Sequence, residues 1–223
     1  MRRLKTFLLL TALTLTGCNG ENWTWREKIK VSVETPDGLK IGSSVLEVKL
    51  ADMSKAWLTT PESRGATERL TGEAVVVEVA PGRYLFALLK ALPSAYVVFF
   101  PKHPPLEDAA AKLASMRESR TLASDQYPLL VTFDDINDPA SVKKVDPGHL
   151  AATFGPGYRL ASITMTMTDE AVTKGKVEAQ LDWWTIYLNN KARMISLRYP
   201  DKSPRGYDTL TPLDFWSLNS VPN

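Results

Sequence analysis

Oxygen donors cluster at Asp134-Asp135-Ile136-Asn137-Asp138-Pro139, and carboxylates at close spacing are what a hard cation such as Ca²⁺ takes. Asp134, Asp135 and Asp138 are therefore the metal candidates of this chain. The stretch departs from an EF-hand loop, with no central glycine and no glutamate at the twelfth position, and Asp or Asn before Pro is equally the chemistry of a turn. A second set of residues would do acid–base work. The two histidines are His103, in Lys102-His103-Pro104-Pro105, and His149, in Asp146-Pro147-Gly148-His149. His149 as a base would need an orienting carboxylate, for which Asp134 and Asp135 are candidates, and a nucleophile, for which Ser43 and Ser44 after Gly42 are candidates. No Gly-x-Ser-x-Gly elbow occurs, and the histidines lack the spacing of zinc ligands. In Gly155-Pro156-Gly157 the proline removes a backbone donor and no Lys-Ser or Lys-Thr follows, so the segment reads as a tight turn and not a phosphate loop. Trp183-Trp184 would serve either as a ligand platform or as core packing.

The remaining chemistry belongs to the one cysteine, Cys18. Arg2, Arg3 and Lys5 precede an apolar run from Phe7 to Leu15, too short to remain as a membrane span and of the right form for an export signal. The run closes on Leu15-Thr16-Gly17-Cys18, which resembles the lipobox of bacterial lipoproteins at all four positions. The resemblance implies that residues 1–17 are removed, that the Cys18 thiol takes a diacylglycerol and that the new amino group is acylated. Acyl chains contribute about 0.8 kcal/mol per buried CH₂, so three exceed what stable anchoring requires. Asn19 stands where an aspartate would resemble an inner-membrane retention signal. The expected place is thus the outer membrane, facing the periplasm, with the inner membrane as the alternative.

Composition bounds what such a protein does. Removing 17 residues from 223 leaves 206, ample for one globular domain over 23–223 behind a short lipidated tether at 18–22. Of 27 cations, Arg2, Arg3 and Lys5 leave with the signal, so 24 face 25 anions and the mature chain is near neutral. Nothing in that balance suggests the basic stripe that nucleic-acid binding uses. With one cysteine in an oxidising compartment no intramolecular disulfide is available, and stability must come from burial.

Periodicity supplies the elements that would position these groups. Ile29, Val31 and Val33, then Leu46, Val48 and Leu50, alternate with polar residues around Thr35-Pro36-Asp37-Gly38, so 27–50 reads as a hairpin with one buried face. Trp23 and Trp25, two residues apart at its start, suit either the membrane interface or the core face of the first strand. Residues 54–69 read as a loop. Val75, Val77 and Val79, then Tyr84 to Leu89 after Pro81-Gly82, form a second hairpin. The apolar run Tyr96 to Phe100 reads as a short strand stopped by Pro101. Leu106, Ala109, Ala110, Leu113 and Met116 have helical spacing. Leu129 to Phe133, Ile163 to Met167 and Met194 to Tyr199 read as strands, 177–188 fits helix or strand, and Phe215 and Trp216 are expected to tie down the tail. The expectation is a mainly β, α+β fold: an antiparallel sheet or sandwich of consecutive hairpins with one clear helix near 105–120.

At Asp138-Pro139-Ala140-Ser141-Val142-Lys143-Lys144-Val145-Asp146-Pro147, and from Thr35-Pro36-Asp37-Gly38 to Ser43-Ser44-Val45, the chain resembles an uncharacterised group of Gram-negative lipoproteins. That resemblance implies no activity and carries no site residues. Two functions from different classes follow from the residues. One is a non-enzymatic envelope lipoprotein, without cofactor, whose sheet binds another envelope protein. The other is a periplasmic hydrolase or small-ligand-binding protein using His149 with the Asp134 to Asp138 region.

Overall fold

The computed structural model describes residues 21–54, 65–183, 197–198, 209–210 and 212–215. Cys18, Trp57, Trp184 and Trp216 lie outside them. Two long strands, β1 (Glu21–Thr35) and β2 (Gly38–Asp52), pair in unbroken antiparallel register from Glu21↔Asp52 to Thr35↔Gly38. The turn that joins them is chemically specified. Thr35 Oγ1 donates to the Gly38 carbonyl at 2.8 Å and accepts the Asp37 N–H at 3.2 Å, while Gly38 takes a φ of +105° that a side chain would resist.

β1 sits at the centre of a five-stranded antiparallel sheet in the order β3 (Ala66–Thr71), β2, β1, β9 (Arg159–Met167), β6 (Ser119–Thr121). A second antiparallel sheet has the order β4 (Val75–Ala80), β5 (Arg83–Ala87), β7 (Leu130–Phe133), β8 (Val142–Lys144). The sheets share one core. Ile29, Val31, Val33, Leu46 and Val48 from the first meet Val75, Val77, Val79, Leu85 and Leu130 from the second. Three helices, α1 (Ala95–Phe99), α2 (Leu106–Ser115) and α3 (Leu150–Phe154), add Ala95, Phe99, Ala110, Leu113, Leu150 and Phe154 to it. The fold is thus mainly β, with α2 the only helix longer than five residues among the described ones. The sheets approach closely at Gly42, where a Cβ would stand 2.1 Å from the Val76 carbonyl oxygen. Only glycine lets β2 cross β4 there.

The second sheet is buried on both faces, which explains the continuous apolar runs of its strands. Behind it Phe86, Val131 and Val142 pack with Val177, Leu181 and Phe215. Phe86 meets Phe133 edge-on at 5.6 Å and Phe215 at 5.9 Å between ring centroids. Phe215 ties down the tail as expected, its carbonyl accepting the Ala74 N–H at 2.8 Å.

Several expectations are corrected. Residues 96–100 are not a strand: Ala95–Phe99 form one helical turn in which Ala95 and Phe99, four apart, face the core and Val97 faces solvent. A run that short and wholly apolar carries no period to distinguish the two. The expected loop at 54–69 ends early, because Ala66–Thr71 pair with Glu47–Asp52 as an edge strand whose residues are all exposed or half-buried, so no alternation marks it. Of the stretch 177–188, residues 177–183 form neither helix nor strand but a turn, with the Ala179 N–H on the Gly175 carbonyl and the Leu181 N–H on that of Val177, and 184–188 lie outside the described residues. Of the strand expected at 194–199, residues 197–198 pair with 209–210 and the others lie outside the described residues. Trp25 is buried and Trp23 half-buried against the same core, so both take the core alternative. Glu21 and Asn22, expected as tether, are already strand.

Candidate functional site

The acidic stretch is an ordered turn in which each carboxylate has its own task. Asp134 pairs with Lys143 across β7 and β8. Asp135 Oδ1 accepts the Asn137 backbone N–H at 2.9 Å, and Asp138 Oδ1 accepts that of Ala140 at 2.8 Å, capping the short 3₁₀ turn Pro139–Ser141. Ser141 Oγ donates toward the carbonyls of Asp135 and Asp138, both at 2.8 Å. Among the described residues no three acidic, histidine or cysteine side chains converge as a metal centre would require.

His149 does have an orienting carboxylate, but a different one from those expected. Its Nδ1 lies 3.0 Å from Asp146 Oδ2, three residues earlier in the same turn. Asp146 Oδ1 also accepts the Gly148 N–H at 2.8 Å, and these two contacts, the histidine first, hold the carboxyl below its usual range. The pair is local and exposed, with 78% of the His149 side chain in solvent. Among the described residues no hydrogen bond joins it to Asp134, Asp135, Ser43 or Ser44. Ser44 is committed elsewhere: it is buried, and its hydroxyl donates to the Glu73 carbonyl at 2.7 Å. His103 stacks beside Tyr96 at 5.6 Å, and the Tyr96 hydroxyl donates to the Pro104 carbonyl. Gly155-Pro156-Gly157 is the expected turn, with Gly155 and Gly157 both at positive φ. Trp183 Nε1 donates to the Ile136 carbonyl at 2.7 Å and its ring meets Phe133 edge-on, which anchors the acidic turn to the second core.

Two buried carboxyls escaped the sequence reading. Glu27 points into the core between Trp25 and Ile29 and is 2% exposed. Burial, with repulsion from Glu68, pushes its pKa up to about 8, against a single weaker pull from the Trp25 indole N–H at 3.3 Å. The signal was its phase, since Glu27 shares the odd-numbered apolar face of β1. Glu73 accepts the backbone N–H groups of Lys176 at 3.0 Å and Val177 at 3.2 Å, pinning the 175–181 turn to the junction of β3 and β4. Burial raises its pKa more than those two donors lower it.

One cleft, of about 150 Å³, is lined by Thr24, Trp25, Arg26, Glu47, Arg117 and Asp169, below the size at which drug-like ligands are enclosed, and a larger groove of about 360 Å³ opens to solvent along β2 and β3 between Lys49, Ala51, Thr67, Glu68 and Arg69. In the smaller cleft every charge has a partner, Arg26 with Glu47 at 3.0 Å and Arg117 with Asp169.

The surface feature that stands out is the far end of the first hairpin. Leu39 and Ile41 are each 56% exposed and are the most exposed large apolar side chains among the described residues. Both lie on β2 out of phase with Leu46, Val48 and Leu50, so they face away from the core. That odd phase is a sequence signal for an outward apolar pair. Among the described residues no helix is long and apolar enough to cross a membrane. Compared with protein-family models, with curated proteins and with solved structures, the chain matches none.

Proposed function

We propose that the chain is a lipid-anchored protein of the bacterial cell envelope, facing the periplasm, and that it acts by binding another envelope protein rather than by catalysis. The observation that carries this reading is the distance between Cys18 and Glu21: the lipobox cysteine stands three positions before the first residue of β1. A body joined so directly to acyl chains lies against its membrane with no linker to carry it across the compartment. Asn19 favours the outer membrane. The side chains that would serve a hydrolase support the binding reading, since Ser44, Asp135 and Asp138 hold backbone groups in place and the His149 ring is held by Asp146 of its own turn.

The test is Cys18→Ser in the full chain, followed by palmitate labelling and separation of membrane from soluble periplasm. Loss of label together with release into the soluble fraction is the expected outcome. Unchanged labelling and unchanged fractionation would remove the anchor and the location with it.

A further inference from the structure

The register of the first hairpin fixes which backbone groups of β2 are available. In an antiparallel pair, successive residues alternate between facing the partner strand and facing outward. Val45 establishes the phase, because its N–H donates to Thr173 Oγ1 at 2.8 Å and its carbonyl accepts the Thr173 N–H at 3.0 Å, both away from β1. Ser43, Ile41 and Leu39 share that phase. The Ser43 carbonyl accepts Lys176 Nζ at 2.9 Å, and the register of β3 with β2 covers only Glu47 to Asp52. Among the described residues, therefore, no strand covers the outward N–H and C=O groups of Leu39 and Ile41.

This stretch is a rigid edge. Gly42 lies against the Val76 carbonyl on the core side, the Thr35-to-Gly38 turn closes one end, and the Thr173 clamp on Val45 closes the other. Natural sheets protect such edges with charge, bulges or covering loops, and an exposed apolar edge is a template for another strand. The charge around Ser43 is positive. Lys30 is the Cα partner of Ser43, Lys174 and Lys176 lie on the segment clamped to Val45 and Ser43, and Glu34, the one carboxylate of β1 beside Leu39, is taken by Arg159 at 2.6 Å.

We propose that the β2 edge from Leu39 to Ser43 is a β-addition site for an extended segment of a second protein, carrying a carboxylate followed at alternate positions by two apolar side chains. The geometry dictates the order. An antiparallel guest residue opposite Ser43 lies beside Lys176, with Lys30 one strand further on the same face, and takes the carboxylate, while those opposite Ile41 and Leu39 take the apolar groups on that face. Read from its N-terminus, the guest is acid-x-apolar-x-apolar. Backbone hydrogen bonds supply the affinity and the alternate side chains the choice of guest. A second copy of this chain is the poorer occupant: paired antiparallel about Ile41 it sets Leu39, and not a carboxylate, opposite Ser43 and its lysines, and a ladder confined to 39–43 buries far less than the roughly 1,000 Å² that a stable interface needs. This site deepens the binding reading and rests on it for the nature of the partner.

The test uses the full lipidated chain in two measurements. In detergent, with a synthetic peptide Ser-Glu-Thr-Val-Thr-Val-Thr as probe, amide exchange at Leu39 and Ile41 is expected to slow. The double variant Leu39→Thr/Ile41→Thr, which keeps strand propensity, is expected to weaken binding about tenfold, as is Glu→Lys in the peptide. In cells, photo-crosslinkers at 39 and 41 are expected to capture a partner through an acid-x-apolar-x-apolar segment, with a crosslinker at Thr121 as control. No protection by millimolar peptide together with crosslinks only from Thr121 overturns the edge and leaves the binding reading standing. Crosslinks from 39 and 41 only to this chain itself overturn the heterologous guest. Neither protection nor any crosslink overturns both readings.

Discussion

The indole N–H of Trp25 donates to the carboxyl of Glu27 at 3.3 Å inside the core of the protein. The two residues are neighbours on the inward face of β1, and the contact is the one hydrogen bond that offsets the cost of placing an acid there.

Stability should therefore fall with pH. A carboxyl whose pKa is raised from 4.5 in the unfolded chain to about 8 in the folded one binds its proton more tightly when folded. The stability this contributes is full below pH 4.5 and is lost as pH rises through about 8, to a limit of roughly 5 kcal/mol. Glu27→Gln keeps an oxygen for Trp25 and removes the titration. Urea unfolding at pH 5 and pH 8 is expected to show the parent losing stability relative to the variant at the higher pH. A difference that does not change between the two pH values would refute the assignment.

Glu73→Gln replaces a carboxylate that accepts two consecutive amides with a group that can accept only one of them. The variant is expected to lose about 1–3 kcal/mol. Because the bonds it loses hold Lys176 and Val177, limited trypsin digestion should cleave after Lys174 and Lys176 faster, before the rest of the fold is attacked.

Gly42→Ala places a methyl group 2.1 Å from a backbone oxygen of the opposite sheet, which has no flexible end to move aside. The sheets must separate locally, at a cost of about 3 kcal/mol or more. Gly42→Ala should lower the melting temperature markedly, and an unchanged melting temperature would show that β2 and β4 do not cross there.

His149→Ala separates the two functional classes. His149 is exposed and touches only its own turn, so the variant should fold and melt like the parent. If binding is the function, the phenotype of the intact strain is retained. Loss of function at normal abundance and melting temperature would instead restore the hydrolase, with Asp146 and not Asp134 or Asp135 as the orienting acid.

Strand alternation was legible wherever one face of a sheet meets solvent, as in Ile29, Val31 and Val33 or Ile163, Met165 and Met167, and the two-residue turn at Pro36-Asp37 was written in its flanking Thr35 and Gly38. It failed where no face of a strand is buried and where an apolar run is too short to carry a period. The edge strand Ala66–Thr71 has no apolar face to announce it, and the single helical turn Ala95–Phe99 has no polar one long enough to show a period. The candidate chemistry was legible as residue types and misread as partnerships. His149 lies three residues from its carboxylate, whereas Ser44, which looked accessible after Gly42, is held inside by a bond to Glu73 that spans the two sheets' junction. Pairings of that kind depend on tertiary placement, which alternation does not encode.

The seating of Phe215 behind the second sheet has a consequence for how the chain comes into being. Ala74 gives its N–H to the Phe215 carbonyl, and Phe86 waits for the Phe215 ring, so β4 and β5 lack one wall until residue 215 has been added. β1 likewise obtains its second neighbour only when β9 is complete. Such distant closures delay the native state and keep the nascent polypeptide open. If the chain is exported as we propose, that delay is the time in which it remains threadable.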